Sequence, residues 1–358
     1  MSSYSRRDFL RSSAYAAGLA TVSTILPAGM AQAIAAPLSS TSSTAWLQNN
    51  LSVLGSRPLR HICMPGTHDA GMSAYNSGTA FTHSCDTVTQ TTGILGQLQY
   101  GSRYFDIRPV ISGGQFMTGH YTDVTQLNSW QGANGQSIQS IIDDVNNYTA
   151  SNSELVVLYL SHDLNTDLGN SSYAPLTQQE WNTLLTLLQE GINNLFVTSA
   201  SDLTTLTLNT FIGNNKAAVV VVVDPSGTGI SLGNYANQGF YPAASFPVYN
   251  QYSDTNTLST MMADQLAKMR AQKTNLDASY FLLSWTLTQD GTQATFCSAF
   301  PSLDPSILSL ANTANGALSS NLLPACNANC YPNIIYVDNI NSSACATLAM
   351  TINGLSNS

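Results

Sequence analysis

The chain has 358 residues, of which 43% are hydrophobic and only 9% charged, and its formal net charge is −9. That is enough apolar material for a large core, and the polar surface must come from Ser, Thr, Asn and Gln rather than from ions. A chain this acidic does not hold a polyanion by bulk attraction, so nucleic acid is excluded as a partner and any phosphate chemistry falls to a few placed cations.

From the N-terminus, residues 1–33 read as an export signal. Ser5-Arg6-Arg7-Asp8-Phe9-Leu10 is followed by a weakly apolar stretch and then Ala31-Gln32-Ala33, a basic region, an apolar region and a small-x-small cleavage site. The paired arginines point to the twin-arginine route of a bacterium. Gly18, Ser23, Pro27 and Gly29 interrupt the stretch, which makes it too polar to serve as a membrane anchor. Residues 34–358 are then expected as one exported domain, periplasmic or extracellular and acting as a monomer. Without the signal the balance is eight basic against nineteen acidic residues, or −11, and only weak attraction to anionic bilayers is expected. Cys63, Cys85, Cys297, Cys326, Cys330 and Cys345 form an even set in an exported chain and are expected to pair as disulfides, stapling the C-terminal part. Cys326-x3-Cys330 has no second close pair and no nearby histidine to make a zinc site.

Candidate strands follow at 60–64, 103–107, 155–160, 217–223, 279–285 and 333–337. Most are continuously apolar, as parallel strands buried on both faces are. Between them Ile138, Ile141, Ile142 and Val145 recur at i, i+3, i+4 and i+7, one face of an amphipathic helix. Residues 177–195, 255–273 and 342–355 read as helices too. This alternation predicts an α/β fold with a parallel sheet. Pro65-Gly66-Thr67-His68 is not a phosphate-cradling glycine turn, which disfavours a doubly wound sheet. A single distorted TIM-type (βα)8 barrel is expected, with its chemistry at the C-terminal ends of the strands.

All five histidines, His61, His68, His83, His120 and His162, lie in the first half of the chain. His68 follows the first candidate strand and His120 the second, and both are assigned to the site, whereas His61 and His83 are assigned structural roles. Tyr104, Asp106 and Arg108 share one face of a strand, because side chains alternate with period two. Among so few cations, Arg108 at a strand end is a candidate for a phosphate oxygen, with a planar fork that never loses its charge. His162 and Asp163, after the third strand, are candidates for the pocket rim. The histidines show none of the close spacing a zinc site uses, and no G-x-S-x-G elbow is present. Two histidines and an arginine suit phosphodiester cleavage by a base, an acid and a cation.

Pro65-Gly66-Thr67-His68-Asp69, then Gly101-x-Arg103-x-x-Asp106-Ile107-Arg108, then Gly119-His120 resembles the X-domain pattern of phosphatidylinositol-specific phospholipase C in its bacterial form. Glu154–Leu160 resembles the family's next barrel strand, Ile334-Ile335-Tyr336-Val337-Asp338 its late strand, and Trp46-Leu47 its N-terminal helix. The resemblance is dense from about residue 45 to 165, thin from 166 to 330, and returns near 338. It implies His68 as general base on the inositol 2-hydroxyl and His120 as general acid on the leaving oxygen, supported by Asp69. It further implies Arg108 on the non-bridging oxygen, Asp338 orienting His68, and Asp106 placing Arg108 or binding substrate; His162 and Asp163 are assigned to substrate by their position alone. Eukaryotic-type members have Asn after the first histidine and calcium-ligating carboxylates where this chain has Arg108 and Ser161. No metal and no cofactor is therefore implied, and the partners are an inositol-phosphodiester lipid and, transiently, a membrane surface. A metal-dependent glycerophosphodiester phosphodiesterase or sphingomyelinase D-like enzyme on the same barrel, and a non-catalytic exported lipid- or glycan-binding protein, are the competing readings.

Overall fold

A computed structural model of the chain describes residues 43–300 and 305–356, so the export signal expected at 1–33 lies outside the described residues. Eight short strands form one parallel sheet: Met64–Thr67, Tyr104–Ile107, Leu155–Leu160, Ala218–Val223, Phe240–Pro242, Val248–Tyr249, Tyr280–Ser284 and Ile334–Val337. Numbered in chain order, they lie side by side as 5-4-3-2-1-8-7-6, and every pairing between neighbours is parallel. That is the cyclic order of a (βα)8 barrel, curled but with no ladder joining the fifth strand to the sixth among the described residues. The distortion has a local cause. Helices Ile94–Gln99, Ile138–Thr149, Gln178–Gly191, Leu258–Gln272 and Ile307–Leu322 lie in the other crossovers and Ala344–Leu355 follows the last strand, whereas among the described residues only 3-10 turns connect strands four, five and six.

The alternation of each strand divides the core in three. Tyr104, Val157, Val220, Leu282, Ile334 and Tyr336 point into the barrel. Phe105, Val156, Leu158 and Val221 pack outward against Ile141, Ile142, Trp181 and Leu185. On the other flank Phe281, Leu283, Ile335 and Val337 meet Met261, Leu318, Leu348 and Ile352. Each fully buried aliphatic side chain contributes about 1.5–3 kcal/mol. The N-terminal end of the barrel is closed by a buried ion pair. Arg103 Nε lies 2.7 Å from Glu154 Oε2, both side chains inaccessible, and Glu154 also accepts the Gln48 and Leu47 amides. Trp46, fully buried, donates its Nε1–H to Gly101 O at 3.0 Å and lies under the Arg103 guanidinium.

Three expectations need correction. The first strand is Met64–Thr67, not 60–64, and a 3-10 turn occupies Leu59–His61. Pro65 and Gly66, which look like a turn, are strand residues. A side chain at Gly66 would come within 2.6 Å of Ile334 Cγ2, so this close strand contact requires glycine. Strands five and six were not anticipated. Nor was a second sheet of five strands, in the order Ser77–Gly78, Ser129–Ser137, Gln115–Val124, Pro109–Ser112, Leu164–Asn165. Finally, the six cysteines do not all pair. One disulfide, Cys85–Cys297, ties the loop after strand one to helix Gly291–Ala299, while Cys63, Cys326, Cys330 and Cys345 are free. Among the described residues no helix is long and apolar enough to cross a membrane.

Candidate active site

Four neighbouring strands, in the order 3-2-1-8, each deliver the first residue past their C-terminal end to one place: Ser161, Arg108, His68 and Asp338. One residue further on, the chain turns away through left-handed backbone at Asp69 (φ 40°), His162 (φ 54°) and Asn339 (φ 48°). These are residue types that tolerate that conformation, at a cost of about 1–3 kcal/mol each. His120 arrives differently. It sits on Gln115–Val124 of the second sheet, which is built onto the end of strand two.

Each histidine is held by a carboxylate at Nδ1. His68 Nδ1 is 2.7 Å from Asp338 Oδ1, and His120 Nδ1 is 2.7 Å from Asp69 Oδ2. Both carboxylates are buried while the imidazoles stay about one-fifth exposed, at 21% and 22%, which anchors one ring edge and leaves Nε2 as the working atom. Arg108 lies between them. Its Nε donates to Asp106 Oδ2 at 3.1 Å, its Nη1 lies 3.4 Å from Asp69 Oδ2, and its Nη2 donates to His68 Nε2 at 2.8 Å. Since arginine only donates, His68 Nε2 is the acceptor and its Nδ1–H points to Asp338, a neutral tautomer whose Nε2 lone pair can take up a proton.

Asp106 is the fixed point of this network. Its Oδ2 accepts from the Tyr336 hydroxyl at 2.7 Å and the Asp69 amide at 3.1 Å, and its Oδ1 accepts from Ser161 Oγ at 3.0 Å. Burial favours its neutral form, but Arg108, His162, His68 and the Tyr336 hydrogen bond outweigh it and hold the carboxyl well below the usual range. Burial likewise opposes the Arg108 charge, and Asp106 and Asp69 more than compensate. For His68, burial lowers the pKa, yet the charge and hydrogen bond of Asp338, with Asp106 behind, override it and Arg108, so that His68 titrates above the ordinary imidazole value.

Of the residues expected at the site, His68, Asp69, Asp106, Arg108, His120 and Asp338 converge. His162 stands at the rim, its Nδ1 2.7 Å from Ser161 Oγ, and partial loss of hydration there, with the nearby Arg108 charge, lowers its pKa. Asp163 corrects the expectation. It is buried, and its carboxylate accepts from the Leu176 and Ser226 amides and from Trp181 Nε1, which makes it a clamp on the loops rather than a ligand. His61 Nε2 lies 2.7 Å from Asp277 Oδ1, and His83 donates its backbone amide to Asp86 at the start of a short helix. Tyr336 and the Ser161 hydroxyl, named in the sequence without a role, both bond to Asp106. Tyr336 packs edge-on to His68, with ring centroids 5.4 Å apart, and shares a strand face with Asp338, an i, i+2 relation legible in the sequence. Asp224, the first residue past strand four, accepts from the Tyr159 hydroxyl at 2.9 Å.

No protein-family model matches the chain. Among solved structures it is similar to a phosphatidylinositol-specific phospholipase C of S. aureus, with TM-score 0.60 and 16% identity over 87% of this chain and 98% of the other. It is also similar to one from Listeria monocytogenes, with TM-score 0.53 and 12% identity over 87% and 98%. A PI-PLC X-box domain-containing protein of Dictyostelium discoideum is 26% identical over 132 residues, which are 33% of this chain and only 16% of the length of that curated relative. The barrel fold is thus shared with these two bacterial structures.

Proposed function

We propose that the chain is a phosphodiesterase of the phospholipase C type, acting on phosphatidylinositol by intramolecular attack. The observation that carries the reading is the pair of imidazoles, each bound at Nδ1 by its own buried carboxylate, on either side of a guanidinium pinned by Asp106. Similarity to phosphatidylinositol-specific enzymes supports the lipid class.

His68 Nε2 takes the proton of the inositol 2-hydroxyl, whose oxygen attacks phosphorus. The bond from phosphorus to the glycerol oxygen breaks, His120 Nε2 gives that oxygen its proton, and diacylglycerol leaves, with a cyclic inositol phosphodiester as the other product. Arg108 holds the non-bridging oxygen as its charge grows. The cation is permanent and built in, so the reaction needs no divalent metal. Residues 1–33 serve as the export signal; replacing Arg6 and Arg7 by Lys should hold the protein in the cytoplasm of its host, and secretion unaffected by the change would refute that assignment.

Phosphorus NMR of the water-soluble product tests the mechanism. A cyclic phosphodiester formed before any acyclic inositol phosphate is expected. Direct appearance of the acyclic monoester would mean that water, not the 2-hydroxyl, attacks.

A further inference from the structure

The five-stranded sheet contains a cavity of about 310 Å³, at the lower end of the roughly 300–1,000 Å³ of small-ligand sites. Strand register separates it from the catalytic centre. Gly119, His120 and Tyr121 pair with Asn134, Ala133 and Gly132, and side chains alternate across a strand. Tyr121 and Asn134 therefore line the cavity from the face opposite His120.

Its floor is a convergence of hydroxyls on one amide. Asn134, 3% exposed, donates from Nδ2 to Ser77 Oγ and Ser112 Oγ, 2.8 Å each, and accepts the Tyr121 hydroxyl at Oδ1, also 2.8 Å. Each serine oxygen already accepts from Asn134, which leaves its own proton to donate away from the amide. Tyr173 stands edge-on to Tyr121, ring centroids 5.7 Å apart and planes at 84°, and gives the polar floor an aromatic wall. Asn170 adds a further amide, and no charged residue lines the space.

This chemistry selects its occupant. An anion finds no counter-ion here, and the nearby Asp167 carboxylate is spent on the Gly113 and Gly114 amides. An apolar ligand would desolvate the serine and amide groups without replacing their hydrogen bonds. A neutral ring with hydroxyls on its edge and C–H bonds on its face meets both surfaces. We propose that this cavity is a binding site for a neutral pyranose unit, separate from the catalytic centre.

The test is ligand-observed NMR titration of the full chain with the methyl glycosides of glucose, mannose and galactose, and with glucose 6-phosphate as the anionic comparator. Wild type is compared with Tyr173→Ala, Ser112→Ala and His68→Ala, each checked for folding by its melting curve. At least one glycoside should bind saturably, with Kd on the order of millimolar, and bind no better when phosphorylated. Binding should weaken about tenfold in Tyr173→Ala and Ser112→Ala and stay unchanged in His68→Ala. If Ser112→Ala fails to fold, Tyr173→Ala alone decides. No saturable binding, binding that survives the pocket variants, or binding lost with His68→Ala would overturn the proposal, the last by placing the sugar in the catalytic mouth.

Discussion

Two imidazoles with the same covalent chemistry are given different surroundings, and the difference assigns their work. His68 faces Arg108 on one side and Asp338 on the other, whereas His120 rests on Asp69, whose other close contact is with Arg108. The raised His68 pKa has a consequence whose sign is definite. Its folded value exceeds the unfolded ~6.5, so protonated His68 stabilises the fold fully below that pH, and the contribution fades as pH rises through the folded value. In the proposed mechanism, loss of the same proton turns the base on. The acid limb of kcat/KM should therefore lie above about 6.5, and Asp338→Asn, which leaves only Asp106 to oppose burial and Arg108, should move it to lower pH while reducing kcat. A pH profile of both proteins decides; a limb that stays in place would remove Asp338 from the role assigned here.

At the scale of the element, what could be read from the sequence depended on the hydrophobic pattern. Leu155–Leu160 and Ala218–Val223 announce themselves as unbroken apolar runs because both faces are covered. The strands Gln115–Val124 and Ser129–Ser137 do not, since their side chains are largely polar or absent and no apolar alternation marks them. His120 was therefore read as a residue in the turn past strand two, and the sheet that carries it went unseen. Phe240–Pro242 and Val248–Tyr249 are too short for any periodicity to register. His68, Arg108 and Asp338 were legible because each follows a strand that could be read, and Asp163 misled because adjacency to His162 says nothing of which way a buried carboxylate turns. The buried Arg103–Glu154 pair, quoted in a motif but given no role, is the element-scale determinant of the barrel's lower end. Glu154→Ala leaves the guanidinium buried and uncompensated and should cost about 3–5 kcal/mol, read as a lowered urea midpoint with unchanged slope. A loss below 1 kcal/mol would mean water or another group takes over.

For the molecule as a whole, a barrel with no ladder between its fifth and sixth strands among the described residues and a shortage of cations are the governing facts. With few basic residues anywhere in the chain, the proposed function rests phosphate recognition on Arg108 and the two histidines rather than on a broad positive field. Removing one of them should then be far more damaging than in a protein with charge to spare: about 10²–10⁴-fold for a histidine acting as acid or base. The direct measurement is release of water-soluble inositol phosphate from phosphatidylinositol vesicles in excess EDTA, by the wild-type chain and by His68→Ala and Arg108→Ala. Full activity in chelator that both variants lose is the predicted result. A wild type that is silent until a divalent metal is added, or silent on every inositol lipid, would leave the barrel standing and contradict the chemistry assigned to it.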